Sequence, residues 1–205
     1  MDWRAALREA ADVVWPRSCV GCGASAVTVC DVCLAAWQTN TRQLEDVPVT
    51  VLGAYEGGLK DAVIACKEYG NVGAAKRLGR RLAAACPAAD VVAIVPPSAS
   101  GLRRRGFHCV EWIAREIANR SGAALTRMRF APQVSSGTQK QRTREQRLTS
   151  VRTLRLRDLH GARVVVVDDV VTTGATMLSA AASVRAAGGL CVGGAALAEA
   201  VRHGS

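Results

Sequence analysis

Four cysteines near the N-terminus are the first residues whose types and spacing suggest chemistry. Cys19 and Cys22 form one CxxC pair, Cys30 and Cys33 form another, and seven residues separate the two pairs. Each pair can turn back on itself so that two thiolates meet one ion, and four thiolates suit tetrahedral Zn²⁺. Because four protein ligands leave no open position, the pattern predicts a structural zinc-binding module. Redox dithiols or structural disulfides are the alternative interpretation of the same spacing.

A second constellation lies in the last third of the chain, where an apolar run precedes acidic and hydroxyl residues. Val164–Val167 are four consecutive β-branched residues, which predict a buried strand. In open α/β sheets ligands bind where strands end, and the N–H groups that start a following helix suit a phosphate. A glycine there permits close approach of the backbone, and threonines add hydroxyl donors. The candidate substrate-binding residues of this segment are Val170, Thr172, Thr173, Gly174, Ala175 and Thr176.

Two adjacent carboxylates, Asp168 and Asp169, separate this strand from the threonine-rich loop. The loop lacks the lysine and the glycine spacing of a Walker A motif, which excludes a phosphate site of that type. Paired carboxylates are poor neighbours for a phosphate alone, but they suit a sugar whose hydroxyls lie beside that phosphate. An N-capping Asp in an ordinary turn is the simpler alternative, and it accounts for one acidic residue but not for two. The pattern therefore favours a sugar phosphate.

The apolar strand, the paired acidic residues and the TTGxT loop together resemble the fingerprint of the type I phosphoribosyltransferases. That resemblance implies that Asp168 and Asp169 lie near the ribose 2- and 3-hydroxyls and that Thr172–Thr176 surround the 5-phosphate of phosphoribosyl pyrophosphate. With the four-Cys module, the order of further motifs is similar to the ComF family, whose members are associated with DNA uptake in competence. These motifs are Lys67 and Gly70, Val95-Pro96-Pro97, Arg105-Gly106-Phe107, Thr138-Gln139 and Arg147. The chain departs from the family pattern at three places. It has His108-Cys109 where the family usually has Asn-Gln, Ser150 where Asn is usual, and Leu154 where Phe is usual.

Two basic residues are candidates for contact with the pyrophosphate group. Lys67 lies at the predicted end of a helix, where a lysine ordinarily just complements the helix dipole. Arg105 belongs to a run of three arginines that would ordinarily be solvated, although the run follows a strand end at the same sheet edge as Asp168. The candidate catalytic residues are therefore Asp168, Asp169, Lys67 and Arg105.

The resemblance implies a transferase that binds phosphoribosyl pyrophosphate and moves its phosphoribosyl group to a nitrogenous acceptor with release of pyrophosphate. Mg²⁺ would arrive with the substrate, because it binds readily through phosphates and keeps its waters. One alternative is a single-stranded DNA-binding competence factor that uses the sugar phosphate site for sensing or for a terminal phosphate. Another is a regulator that binds the ligand without turning it over. The sequence does not indicate the acceptor base.

Alternating strands and helices must position these residues. Strands are predicted at 47–55, 90–97, 163–168 and 190–198, and helices at 2–14, 57–68, 72–86, 107–120 and 175–187. This alternation predicts an α/β fold with a mainly parallel sheet flanked by helices. We assign residues 1–40 to an N-terminal helix and zinc-binding module and residues 41–205 to the main domain, with the boundary in the polar stretch 38–46. Residues 131–150 lack apolar periodicity and are predicted to form a mobile loop.

The net charge of +10 is concentrated in one part of the chain. Residues 101–157 contain 14 Lys or Arg and only 3 Asp or Glu. The rest of the chain is nearly neutral, with 13 basic and 14 acidic residues. Such an excess indicates an anionic partner, either a phosphate-rich small molecule or single-stranded DNA. The sequence contains no uninterrupted apolar segment typical of secretion or long enough to span a membrane, so we expect a cytoplasmic protein. Its oligomeric state is left open.

Overall fold

The computed structural model describes residues 18–25, 28–97, 108–130 and 154–200. Within these ranges the chain forms five helices and ten strands. The helices are α1 (Asp31–Ala36), α2 (Gly57–Lys67), α3 (Val72–Ala83), α4 (Cys109–Ser121) and α5 (Ala175–Ala186). The strands are β1 (Asn40–Leu44), β2 (Val47–Val51), β3 (Val91–Ile94), β4 (Ala124–Arg127), β5 (Arg129–Phe130), β6 (Leu154–Arg155), β7 (Arg163–Val167), β8 (Val170–Val171), β9 (Leu190–Ala196) and β10 (Ala198–Glu199).

Six of these strands form one sheet in the order β1-β2-β9-β7-β3-β4. β1 and β2 pair antiparallel, and every other neighbouring pair in the sheet is parallel. β8 pairs with β10 in parallel, and β5 pairs with β6 antiparallel. β7 lies between β3 and β9, so its carboxyl end lies near the middle of the carboxyl edge of the sheet.

Side chains of β7 alternate between two hydrophobic cores, as the two-residue period of a strand requires. Val165 and Val167 face the core built with α2, α3 and α4, whereas Val164 and Val166 face the core built with α5. All four valines are fully buried, which explains why the strand is an unbroken β-branched run. Both faces of β7 are covered, so polar chemistry is confined to its ends.

The predicted architecture, a mainly parallel sheet flanked by helices, is confirmed. Individual bounds differ: the strand predicted at 47–55 ends at Val51, and the helix predicted at 72–86 ends at Ala83. β1 lies within the polar stretch 38–46, in which we place the domain boundary, and β4 has no predicted counterpart. A polar sequence can form β1 because an edge strand needs only partial cover, and Leu44 is its one buried residue.

Two predicted segments, the helix at 2–14 and the mobile loop at 131–150, lie outside the described residues. Much of the basic segment 101–157 lies outside them as well, so single-stranded DNA binding stays a prediction. Among the helices that are described, none is long and apolar enough to cross a membrane.

Candidate functional site

The two acidic residues lie directly beyond β7, at the carboxyl edge of the sheet. The Asp168 N–H donates to the carbonyl of Ala195 at 3.0 Å, and the Leu197 N–H donates to the carbonyl of Asp169 at 2.9 Å. These bonds continue the pairing of β7 with β9 past the end of the strand. The backbone that carries both carboxylates is therefore held by the sheet.

Each carboxylate also accepts a hydrogen bond from the next residue in the chain. The Asp169 N–H donates to Oδ1 of Asp168 at 2.8 Å, and the Val170 N–H donates to Oδ1 of Asp169 at 2.8 Å. Burial and the negative charge of Asp169 raise the pKa of Asp168 to about 7, although the Asp169 N–H and the charge of Lys67 oppose the shift. Asp168 therefore exchanges a proton near neutral pH.

Lys67 approaches the acidic pair from the end of α2. Its Nζ lies 2.7 Å from Oδ2 of Asp169, and the two side chains are 30% and 20% exposed, so a ligand can reach them. Burial alone would lower the pKa of Lys67, but the attraction of Asp169 outweighs burial and leaves the pKa raised. Lys67 is consequently a cation at neutral pH and compensates one of the two carboxylates.

The threonine-rich loop leads into the N-terminus of α5. Gly174, the residue that precedes the helix, has φ +84°, a conformation that residues with side chains rarely adopt. A Cβ at Gly174 would also lie 2.7 Å from Cδ1 of Leu44, so a side chain at this position would have to displace Leu44. The side chains of Thr172, Thr173 and Thr176 are exposed around it. Hydroxyls and the positive end of a helix together suit an anion.

The other motif residues are divided between described and undescribed parts of the chain. Arg105, Gly106, Phe107, Thr138, Gln139, Arg147 and Ser150 lie outside the residues that the structure describes, so their predicted roles stay predictions. His108 precedes α4, and Cys109 is the buried first residue of that helix. Cys109 lies close enough to Lys67 to contribute to the raised pKa of the lysine. Cys109 therefore lies near the lysine that pairs with Asp169.

Three residues that the sequence did not single out support the loop. Arg42 of β1 donates from its guanidinium to the carbonyl of Thr172 at 3.2 Å and lies 3.4 Å from Oε2 of Glu199. Leu44, two residues further along β1, covers Gly174. Arg42 and Thr172 are 130 residues apart in the chain, and no local pattern could connect them.

The four cysteines of the predicted module come together in space. Their sulfur atoms all lie within 4.8 Å of one another. The Sγ atoms of Cys19 and Cys33 are 3.7 Å apart, as are those of Cys22 and Cys30. Four thiolates around a tetrahedral Zn²⁺, each with a bond of about 2.3 Å, would have sulfurs about 3.8 Å apart. The donor set and its spacing therefore fit one metal ion.

Backbone N–H groups point at two of these sulfurs. Those of Gly21 and Cys30 donate to Sγ of Cys19 at 3.4 and 3.2 Å, and that of Cys33 donates to Sγ of Cys30 at 3.4 Å. Burial raises the pKa of the Cys19 thiol, but backbone donors outweigh burial and lower the pKa to about 6. These backbone donors favour the thiolate of Cys19, the form in which cysteine binds metal.

The described part of the cysteine module packs directly on the main domain. Val29 is fully buried in the same core as α2, α3 and α4, and Trp37 packs against that core. In the first turn of α2, a Cβ at Gly58 would collide with the backbone carbonyl oxygen of Gly21. The module and the main domain thus share one hydrophobic core.

Gly58→Ala is expected to lower the free energy of unfolding by about 1 to 3 kcal/mol, because the new methyl group must displace the backbone of the module. Helix propensity alone would favour alanine by about 1 kcal/mol, so the clash acts against the intrinsic preference. Urea unfolding measures the difference, with Lys60→Ala as a control at an exposed position of the same helix. A Gly58→Ala protein as stable as the parent would contradict the close packing at this point.

Residues 67–204 match the family model described as "Phosphoribosyl transferase domain". No curated protein matches the sequence. Solved structures do match, at low identity.

One similar structure is glutamine phosphoribosylpyrophosphate amidotransferase from B. subtilis complexed with ADP and GMP, with 20% identity and a TM-score of 0.44. That match covers 65% of this chain, and the chain spans only 30% of the length of the amidotransferase. Adenine phosphoribosyltransferase from Leishmania tarentolae is 14% identical, with a TM-score of 0.43 over 78% of this chain and 94% of that one. Adenine phosphoribosyltransferase from Thermoanaerobacter pseudethanolicus is 16% identical, with a TM-score of 0.41. That match covers 63% of this chain and 82% of the other chain.

Proposed function

We infer the function from one premise: this chain belongs to the phosphoribosyl transferase domain family. We propose that it binds phosphoribosyl pyrophosphate together with Mg²⁺ and transfers the phosphoribosyl group to a nitrogenous acceptor. The observation that carries the proposal is the arrangement at the end of β7. Two partly exposed carboxylates lie there, a lysine compensates one of them, and a loop suited to an anion follows directly.

The site divides into a sugar half and a phosphate half. Asp168 and Asp169 accept hydrogen bonds from the ribose 2- and 3-hydroxyls, since a carboxylate is a strong acceptor for a hydroxyl donor. The backbone and hydroxyls of Thr172–Thr176 hold the 5-phosphate at the positive end of α5. The positive φ of Gly174 supports this arrangement, because it turns the chain into the helix where the phosphate must approach the backbone.

Lys67 lies beside the sugar half, where the pyrophosphate would bind. The pyrophosphate leaves from C1 of the ribose, which is bonded to the carbon that carries the 2-hydroxyl. A lysine whose Nζ lies 2.7 Å from Asp169 is therefore within reach of the leaving group once the ribose is bound. Arg105 is proposed to contact the same group from the segment after β3. Both cations would stabilise the charge that develops on the departing pyrophosphate.

The reaction is a displacement at C1 of the ribose. The bond from C1 to the pyrophosphate oxygen breaks, a bond from C1 to the acceptor nitrogen forms, and the nitrogen releases a proton to water. Positive charge develops on the sugar ring as the leaving group departs. The protein contributes by orienting the two reactants and by presenting fixed charges where charge develops. Mg²⁺ bound with the substrate would supply positive charge to the pyrophosphate.

We further propose that the chain is a ComF-type member of its family, with a structural zinc ion in the N-terminal module. The support is the position of the four-Cys cluster, which precedes the matched residues 67–204. Zn²⁺ in a site of four thiolates would hold the module on the main domain and take no part in the displacement. The cysteine residues that would bind it are Cys19, Cys22, Cys30 and Cys33.

A screen for pyrophosphate release tests the proposed function. Purified protein is titrated with Mg²⁺ and phosphoribosyl pyrophosphate by calorimetry, and then incubated with the ligand and single nucleobases while pyrophosphate is measured. Binding with release that depends on one base is the expected result. Binding of the ligand without pyrophosphate release for any acceptor would contradict the proposed transferase activity. The protein would then be one that binds the ligand without turning it over. An absence of binding would overturn the proposal as a whole.

The raised pKa of Asp168 predicts a pH dependence of binding. Ionised Asp168 accepts hydrogen bonds from a hydroxyl more strongly than the protonated carboxyl group does, and its pKa is about 7. Below that pH the ligand must displace a proton, so the affinity of the parent is expected to fall by up to about tenfold per pH unit from pH 7 down. Above pH 7.5 the affinity is expected to level off.

Calorimetric titrations between pH 5.5 and 8.5 measure this dependence, with Asp168→Asn as the control. The phosphates of the ligand titrate in the same range and affect both proteins equally. The amount by which affinity changes more steeply with pH in the parent than in Asp168→Asn is therefore the contribution of Asp168. Parallel slopes in the two proteins would show that Asp168 is already ionised, or not used, when the ligand binds.

A further inference from the structure

The phosphate loop is held from outside by the edge strand β1. The guanidinium of Arg42 donates to the carbonyl of Thr172 at 3.2 Å, and the same nitrogen, Nη1, lies 3.4 Å from Oε2 of Glu199. The side chains of Arg42 and Glu199 are 29% and 22% exposed. An ion pair that is largely shielded from water is more persistent than one on an open surface.

A second residue of β1 contacts the loop at its point of sharpest turn. Leu44 is buried, and its side chain occupies the space into which a Cβ of Gly174 would project. Arg42 and Leu44 are two residues apart in one strand, so they lie on the same face of the sheet. Two contacts of different kinds, one polar and one apolar, thus meet the loop from one strand.

Arg42 and its partner Glu199 are both fixed by backbone pairing. β1 pairs with β2 in a register that places Arg42 opposite Val49. The Glu199 N–H donates to the carbonyl of Gly53 at 3.0 Å, and the Tyr55 N–H donates to the carbonyl of Glu199 at 2.6 Å. Arg42 therefore connects the loop to the backbone of β1 and, through Glu199, to the backbone of β10.

We propose that Arg42 is a positioning residue that holds the Thr172–Thr176 loop in the conformation that receives the 5-phosphate; the phosphate part of this inference rests on the proposed function. A carbonyl fixed by a charged donor keeps its peptide unit in one orientation, and the N–H groups that follow it are oriented with it. β1 lies outside residues 67–204, so this support comes from a part of the chain that the family model does not cover. Glu199 neutralises Arg42, which leaves the arginine a support rather than a free anion-binding charge.

The chemistry of the contact favours arginine over lysine. A guanidinium presents several donors in a fixed plane, so one side chain can bond a carbonyl and a carboxylate together. A lysine keeps the charge but lacks that planar set of donors. Arg42→Lys is therefore expected to lie between the parent and Arg42→Ala in every measurement below.

Hydrogen exchange tests the positioning role without any ligand. Peptides that cover residues 172–178 are followed by mass spectrometry in the parent and in Arg42→Ala. We expect exchange about tenfold faster in Arg42→Ala, because the first turn of α5 starts from the loop and the Leu178 N–H bonds the carbonyl of Gly174. Unchanged exchange in this segment would overturn the inference, whatever the protein binds.

A matched control removes another arginine that joins the same parts of the fold. Arg185 of α5 lies 2.6 Å from Asp46, in the turn between β1 and β2, and it does not belong to the loop. Arg185→Ala is expected to leave exchange of residues 172–178 as in the parent. Faster exchange in both variants would mean that any loosening of β1 against α5 acts on the loop, and the specific role of Arg42 would be lost.

Calorimetry with Mg²⁺ and phosphoribosyl pyrophosphate then tests the consequence for binding. We expect an affinity about tenfold weaker for Arg42→Ala, a smaller loss for Arg42→Lys and none for Arg185→Ala. If the parent binds and Arg42→Ala binds equally well, the inference is wrong while the proposed function stands. If the parent does not bind, the proposed function is wrong, and the exchange experiment still decides whether Arg42 holds the loop.

Discussion

Asp168→Asn combined with Asp169→Asn is expected to weaken binding of Mg²⁺ and phosphoribosyl pyrophosphate at least about 100-fold, on the order of 3 kcal/mol. Hydrogen bonds to a charged acceptor are stronger than those to a neutral amide. Asparagine keeps the shape of the side chain, so the loss reports on charge and acceptance rather than on packing. Calorimetry at pH 8 is the appropriate measurement, because Asp168, with a pKa of about 7, is ionised there in the parent.

The control for this double variant has the same change in charge at two exposed positions that belong neither to the acidic pair nor to the loop. Asp61 and Asp158 are exposed, and their joint replacement by Asn is expected to leave binding within about threefold of the parent. Thermal unfolding of all three proteins shows whether the fold is kept. If the double variant Asp168→Asn and Asp169→Asn is folded and binds like the parent, the proposal that these carboxylates bind the ribose hydroxyls is wrong.

Cys22→Ser is expected to abolish retention of one zinc ion per chain. Cys22 is exposed, so the smaller hydroxyl leaves no cavity in the core, and the effect falls on the metal site. A neutral hydroxyl is a poor replacement for a thiolate ligand, and the remaining three cysteines must hold the ion alone. Metal analysis of protein purified without oxygen gives the zinc content directly.

The structure extends this prediction to the stability of the main domain. Val29 lies between the two halves of the cysteine cluster in the chain and is fully buried in the core with α2, α3 and α4. Release of the ion would free this segment and expose part of that core. We therefore expect a lower unfolding temperature for the whole protein, with a loss of several kcal/mol in the free energy of unfolding.

Cys191→Ser is the matched control for the zinc experiment. Cys191 is a partly buried cysteine of β9 that lies outside the four-Cys cluster. This variant is expected to keep its zinc and most of its stability. Parent protein that contains no zinc, or Cys22→Ser protein that retains it fully, would contradict the metal assignment. Zinc loss with an unchanged unfolding temperature would show instead that the module does not support the main domain.

Several features could be predicted from the sequence because they depend on residues that are close in the chain. The unbroken run Val164–Val167 predicts a strand covered on both faces, and the structure places these side chains in two cores. The acidic pair and the threonine-rich loop follow that strand without interruption, so their common position at the sheet edge needs only the strand and the helix after it. The paired spacing of the cysteines brings four sulfurs together in the same way.

Other features arise from contacts between distant parts of the chain. The sequence indicates no more than a dipole role or a pyrophosphate contact for Lys67, whereas the structure pairs it with Asp169 at 2.7 Å. The polar stretch 38–46 suggests a boundary, and it contains an edge strand whose Arg42 supports the loop. An exposed edge strand leaves a weak sequence signal, because its register is set by its neighbour and by the turn rather than by its own apolar pattern.

The sequence by itself determined the fold class, the position of the acidic pair and the threonine-rich loop at the end of β7, and the clustering of the four cysteines. In each case the chemistry lies in a short segment, and local geometry is enough to bring the groups together. Only the tertiary structure decided which cation compensates Asp169, which strand supports the loop at Thr172, and that the cysteine module shares a core with the main domain. These contacts depend on the order of strands in the sheet and on the packing of α2 against it. Many arrangements of the same elements have similar local free energies, and the packing of the whole chain selects one of them.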